Sequence, residues 1–344
     1  MTSYRPALSH RLRISTATVL ATLLPLGAMA QQPEQTPTVM DFTCPGGQIT
    51  QTDSGAECIL QDSLERLIED FQASELINDP ITLGERGDRD ALRELPDASP
   101  VARDQAQMRL DAITRRHTAL QRRPGFSEMS ESDRMNYEIL GFVLDQRKRL
   151  APFDSSRLPF VNDSGFFNQM SYVSRQTRFV SADDYQAYAA RLTKLPRYFA
   201  QNRDNMRRGM EDGYTANAGI LNGVIDTVRT LSEGPVDAHP LFAPFATIPA
   251  SFDSTERERL IALGRAALET SVLPAYAELL TFLETEYAPA ARTDAGIGGT
   301  EAGRDYYRAL TRNFTTLDLS PDEVHEIGLQ EVARIRSAMD AVIA

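Results

Sequence analysis

Along most of this chain apolar residues return every three or four positions, the period of a helix packed on one side. Leu60, Leu64, Leu67, Ile68 and Phe71 make one such face, ended by Asn78-Asp79-Pro80. Ser99-Pro100 predicts a second helix running to about Gln121, stopped by Arg122, Arg123, Pro124 and Gly125, and Ser130 with Asp133 is the capping pattern of a third reaching about Leu150. Ser181 and Asp184 open another that carries Tyr185, Tyr188, Leu192 and Leu195, with Pro196 predicting a kink or a restart. The most regular stripe is Ile220, Leu221, Val224, Ile225, Val228 and Leu231, closed by Gly234-Pro235. Three prolines between Asp237 and Pro249 predict a surface loop. A helix from Ser254 to about Thr270 then gives way at Pro274 to one bearing Tyr276, Leu279, Leu280, Leu283 and Tyr287. Gly296 to Gly299 predicts a turn, followed by a short helix near Tyr306 to Asn313. Alternating runs are too short to predict strands. The expected fold class is all-α, a large multi-helix array.

The last helix has a full set of start signals and no stop signal. Ser320-Pro321-Asp322-Glu323 supplies an N-cap, a proline at the first helical position, acid in the first turn and the Glu of a capping box. From there Val324, Ile327, Gly328, Val332, Ile335, Met339 and Val342 keep helical spacing up to Ala344, with no Gly, Asn or Pro to close the run. An apolar face of this kind expects a partner, so the chain reads as the N-terminal part of a longer protein. A terminal helix that frays is the plainer alternative.

The first thirty residues change the expected compartment. Arg5, Arg11 and Arg13 precede the apolar run Val19 to Leu26 and the small-x-small triplet Ala28-Met29-Ala30, the pattern of a secretory signal peptide cut before Gln31. The expected organisation is therefore a signal peptide over 1–30, a Pro-containing tether over 31–43 and a helical domain over 44–344. The expected location is periplasmic or extracellular, with no membrane anchor after cleavage. Without those three arginines the 36 basic residues fall to 33 against 48 acidic ones, a net charge of −15. Such a balance repels a polyanion, so nucleic acid is not an expected partner. Cys44 and Cys58 are the only cysteines and are separated by thirteen residues. An exported chain predicts a disulfide between them, which would stabilise by about 3 kcal/mol on the chain-entropy account; two free thiols are the alternative.

No residue pattern announces a reaction. Beyond the leader the histidines are His117, His239 and His325, and none has another four residues away. His325-Glu326 begins like a zinc motif, but the position that must bind metal is Leu329. His325 is expected instead in a partly buried first turn, where the positive helix end disfavours its charge. Neither a nucleophile elbow nor a phosphate-binding glycine loop is present. The acidic pairs Asp183-Asp184, Glu211-Asp212 and Asp322-Glu323 sit at predicted helix ends, where dipole compensation accounts for them. Tyr306, Tyr307, Thr315 and Thr316 put phenols and hydroxyls beside a Gly-rich turn and are the candidate substrate-lining residues. The plainer alternative has one Tyr packed in the core and the threonines capping a turn.

Two segments carry a family resemblance. Pro274-Ala275-Tyr276, Phe282-Leu283-Glu284, Glu286-Tyr287, Pro289 and Arg292 form the first. Gly303-Arg304-Asp305-Tyr306-Tyr307, Thr315-Thr316 and the run from Leu319 to Val332, LSPDEVHEIGLQEV, form the second. Both are similar to blocks of the bacterial family called domain of unknown function 885, with looser matches at 79–84, 133–140 and 184–213. The resemblance implies an exported helical protein like the N-terminal half of a zincin-type metallopeptidase, whose metal motif, His-Glu-x-x-Pro-Gly-His, lies far towards the C-terminus. No residue here matches that motif, and His325-Glu326 matches a different family position. The implied role is the N-terminal part of a zinc-dependent peptidase or hydrolase, forming a cleft wall or lid, inactive alone and without catalytic or metal-binding residues of its own. Zinc is expected in a full-length relative, the expected partner is the C-terminal catalytic part, and the expected substrate is a peptide or another hydrolysable molecule. The reading from a different class is a non-catalytic periplasmic binding or scaffolding protein.

Overall fold

The structure, a computed structural model, describes residues 49–52, 55–58, 64–123, 126–294 and 296–343. The chain forms two bodies, residues 1–60 and residues 61–344. In the first, β1 (Ile49–Thr52) pairs antiparallel with β2 (Gly55–Cys58), with Ile49 opposite Cys58 and Thr52 opposite Gly55. No strand was expected here, because four residues on each side give too little alternation to read. The leader, the tether and Cys44 lie outside the described residues, and so does the expected Cys44–Cys58 bridge.

The second body is all-α. Its first helices are α1 (Leu64–Leu76), α2 (Pro80–Glu85), α3 (Pro100–Leu120) and α4 (Glu131–Leu150). Ser99 and Ser130 cap α3 and α4 as predicted, accepting from the amides of Ala102 and Asp133 at 3.3 and 3.1 Å. Asp79-Pro80 ends α1 but also starts α2, with Asp79 accepting from the Thr82 amide at 3.0 Å. Leu64 and Leu67 of α1, Ile113 and Leu120 of α3, and Tyr137, Leu140 and Leu144 of α4 close one small core.

The larger core is built by α5 (Gln169–Gln176), α6 (Ala182–Leu192), α7 (Leu195–Glu211), α8 (Ala218–Ser232), α9 (Ala243–Ala246), α10 (Ser254–Ala267) and α11 (Leu273–Phe282). Pro196 sits in the first turn of α7 and marks a restart. At Pro274, where a break was expected, the helix continues. A wide π turn over Leu268–Val272 leads into α11 and another follows over Leu283–Tyr287. Pro274 has no N–H for the preceding turn, and the wider turn absorbs that loss without a change of element. The segment 237–249 is a second correction. Leu241, Phe242, Phe245 and Ile248 are buried, and α9 lies within it. Its apolar residues sit three or four apart between the prolines, so core spacing was present and proline content masked it.

Three tyrosines without solvent exposure join this core to its loops. The Tyr276 hydroxyl donates to the Phe167 carbonyl at 2.6 Å, Tyr188 donates to Leu241 at 3.2 Å, and Tyr287 accepts from the Ala216 amide at 2.9 Å. α12 (Glu301–Thr315) packs on α4, and α13 (Pro321–Ile343) touches α12. No helix among the described residues is long and apolar enough to cross a membrane.

Two outcomes follow from this packing. A Cβ on Gly264 of α10 would lie 2.4 Å from the Phe245 ring, so Gly264→Ala should lower stability by about 1–3 kcal/mol in urea unfolding. Asp184, nearly fully buried, is held below the usual carboxylate range. Burial alone would raise it, but the amides of Val180 and Ser181, the Ser181 hydroxyl and Arg89 all donate to it. Its contribution is therefore complete above the unfolded value of about 3.9 and is lost as pH falls through the lower folded value. Asp184→Asn should destabilise the protein at pH 7 and flatten the fall in thermal midpoint below pH 4.

Candidate functional site

The Gly-rich turn between the two segments that carry the family resemblance leads into α12. Arg292 donates from Nε to the Thr215 carbonyl at 2.7 Å and from Nη1 to the carbonyls of Asp294 and Gly296, which folds the Gly-rich turn back on the core. Thr300 then caps α12 by accepting from the Gly303 amide at 3.0 Å. Only glycine fits at 303, because a Cβ there would lie 1.8 Å from the Ile297 carbonyl oxygen. This close approach fixes where α12 begins and which residue of the Tyr pair turns inward.

Tyr306 is the inward one. Its ring lies 5.1 Å from Phe153 and 6.2 Å from Tyr214, between centroids. The Arg157 guanidinium covers Tyr214 at 4.9 Å and pairs with Asp212 at 2.5 Å. Beneath this corner is Asp154, largely buried and in the left-handed region at φ 40°. Arg208 donates to it at 2.8 Å, Ser156 at 2.5 Å, and Arg103 also pairs with it. Burial would raise the Asp154 carboxyl, but the Ser156 hydroxyl and the guanidinium groups of Arg208 and Arg103 hold it below its ordinary range. Burial raises both phenols, and Tyr306 adds to the effect on Tyr214. Both are therefore neutral at pH 7 and able to donate a hydrogen bond to a polar group brought to this edge.

The four candidate residues do not form one cluster. Tyr307 points outward at 50% exposure. Thr315 and Thr316 lie nine and ten residues beyond Tyr306, roughly 13 Å along the helix axis. The Thr315 hydroxyl donates to the Thr311 carbonyl at 2.8 Å and accepts from the Leu317 amide at 3.2 Å. Thr316, at φ 60°, closes α12 through its own amide, 2.9 Å from the Arg312 carbonyl. Phe153, Asp154, Arg208 and Tyr214 were not singled out from the sequence, since a left-handed Asp between two short turns leaves no periodic mark.

The described histidines each have separate surroundings. His117 stacks on Tyr137 with centroids 4.0 Å apart and places Nε2 2.9 Å from the Tyr137 carbonyl. His239 is buried, with Nε2 3.1 Å from the Leu231 carbonyl and Nδ1 accepting from the Leu241 amide, and burial lowers its pKa. His325 is exposed rather than partly buried; in that first turn Pro321 and Val324 are the half-buried residues. Among the described residues no three His, Cys, Asp or Glu side chains stand together as a metal would need.

With this geometry in place, comparison with known proteins gives a family and a fold. The model of a family described as "Bacterial protein of unknown function (DUF885)" matches residues 80–344. The crystal structure of "the putative lipoprotein from Colwellia psychrerythraea" superposes with a TM-score of 0.71 at 18% identity, covering 81% of this chain and 51% of that one. This chain thus spans about half the length of that neighbour, and at such identity the likeness is one of fold. No curated protein matches. The match over 80–344 includes both motif segments and every helix from α2 onward, and the chain belongs to the DUF885 family of bacterial proteins.

Proposed function

We propose that this chain is the N-terminal helical half of an exported hydrolase of the zinc-peptidase kind. It supplies a wall of the substrate cleft, and the rest of a DUF885 polypeptide covers α13 and brings the metal ligands. One observation carries the reading. Not one of the 23 residues of α13 is buried. Ile327, Leu329, Val332, Ile335, Met339, Val342 and Ile343 are between 46 and 87% exposed. A contiguous apolar face of that length on a well-capped helix is a surface made to be covered. Its start is not in question: Ser320 and Glu323 form the predicted capping box, with the Glu323 amide 3.2 Å from the Ser320 hydroxyl and the Ser320 amide 2.8 Å from the Glu323 carboxylate.

The length relation supports the same occupant. Most of this chain is used in superposing on the Colwellia protein, while only half of that protein is accounted for. The signal-peptide pattern supports export, and the neighbour described as a lipoprotein is of a class that is exported. Within the cleft, Tyr306 would donate a hydrogen bond to a carbonyl of the substrate. Its place on the motif segment beside α13 supports that role.

Two experiments test the reading. The purified chain should bind a hydrophobic dye, and trypsin should cut it first at Arg334 or Arg336. Val332→Glu with Ile335→Glu should reduce dye binding while changing stability by less than about 0.5 kcal/mol, since both side chains are exposed. In the complete reading frame that contains this chain, expressed to its stop codon, the same pair should lower peptide hydrolysis at least about tenfold by uncoupling the two halves. A reading frame that stops at Ala344, or a chain whose α13 resists trypsin in the monomer, would contradict the proposal.

A further inference from the structure

A second place on the molecule, away from α12 and α13, holds a buried cation without a counter-ion among the described residues. Arg191 lies on α6 at 2% exposure, on the wall of a cavity of about 760 Å³ between the α2 loop and the α5–α6 junction. Its Nη2 donates to the carbonyls of Ala91 and Pro80, at 2.7 and 3.3 Å. Its Nε is buried without an acceptor, and Nη1 donates to no group among the described residues. Among the described residues no carboxylate pairs with it; Glu85 and Glu94 act only through space. Burial lowers its pKa to about 10, which leaves it charged at neutral pH. A buried guanidinium that lacks an anion is costly, and a carboxylate in the cavity would supply the missing counter-charge and accept from Nη1.

The rest of the wall narrows the class of ligand. The charged residues lining the cavity are Arg89, Arg178, Arg191, Glu85 and Asp184, a net charge of +1. Arg89 is already spent on Asp183 and Asp184, while Arg178 is exposed and makes no ion pair among the described residues. Ile81, Leu92, Val173 and Val180 supply the apolar part. A single positive excess and an apolar flank suit a monoanion with a hydrocarbon substituent better than a dianion. Gly84 keeps the floor open, since a Cβ there would lie 2.9 Å from Leu92 and 3.3 Å from the Arg191 Nη2.

The geometry points to a binding site for the carboxylate of a small organic anion with an apolar side group, either a free acid or the C-terminus of a peptide. It goes beyond the hydrolase reading and does not rest on it.

The test is ligand-observed NMR and calorimetry on the intact chain with N-acetyl-leucine, N-acetyl-leucinamide, acetyl-glycyl-leucine, hexanoate and inorganic phosphate. The two leucine acids and hexanoate should bind at millimolar affinity or better, and the amide at least about tenfold more weakly. Tighter binding of acetyl-glycyl-leucine than of hexanoate assigns the site to peptide termini, and the reverse assigns it to free acids. Arg191→Gln should abolish binding. Arg178→Gln, which removes no internal contact, should weaken binding at least about threefold with an unchanged thermal midpoint, and so serves even if Arg191→Gln fails to fold. Equal binding of acid and amide, preference for phosphate, no binding of the acids at about 10 mM, or insensitivity to Arg178→Gln would each overturn the proposal.

Discussion

The fold of the helical body depends on tyrosine hydroxyls that never meet water. Tyr276, Tyr188 and Tyr287 each sink an aromatic ring into the larger core and spend the one polar atom on a backbone group of a connecting segment. A buried carbonyl or amide left without such a partner would cost about 1–3 kcal/mol. The loops at Phe167, Leu241 and Ala216 are thus held as firmly as the helices. That firmness lets the 237–249 segment enter the core despite three prolines, and it fixes the strand-like stretch before α8 against which Arg292 folds the Gly-rich turn.

From that anchored base the chain presents two surfaces of different character. At the α12 edge, Asp154 gathers three arginine side chains under the Tyr214–Tyr306 pair, a charged layer beneath neutral phenols. Beyond it α13 carries an apolar face that touches almost nothing. On α6, Arg191 is the reverse case, a charge taken into the interior and left, among the described residues, with carbonyls alone. Each surface holds a group whose natural complement is lacking within the described residues: apolar area without a cover, and a cation without an anion. The first calls for a macromolecular neighbour and the second for a small ligand.

How much of this could be read from the sequence follows from the range of the interactions involved. Helix starts were legible because their chemistry is local: Ser99, Ser130, Ser181 and Ser320 cap the helices they were expected to cap. The all-α class followed from apolar period alone. Prolines misled twice, at Pro274 and across 237–249, because what a proline does depends on whether the surrounding core can absorb a wide turn or bury its neighbours. The hairpin was too short to show a period. Of the candidate residues, Tyr306 gained an environment that no neighbour in sequence supplies, while Thr315 and Thr316 entered the local hydrogen bonds that close α12. Arg191 was not visible at all, since one arginine among 36 basic residues is distinguished only by the cavity beside it.

The central claim is that α13 is a helix awaiting a cover. Hydrogen–deuterium exchange on the chain alone measures this most directly. The account predicts that amides of Pro321–Ile343 exchange within minutes while those of the Ser254–Tyr287 helix stay protected for hours, because the first buries none of its residues and the second lies in the larger core. Protection of α13 comparable to that of Ser254–Tyr287, in a chain shown to be monomeric, would contradict it.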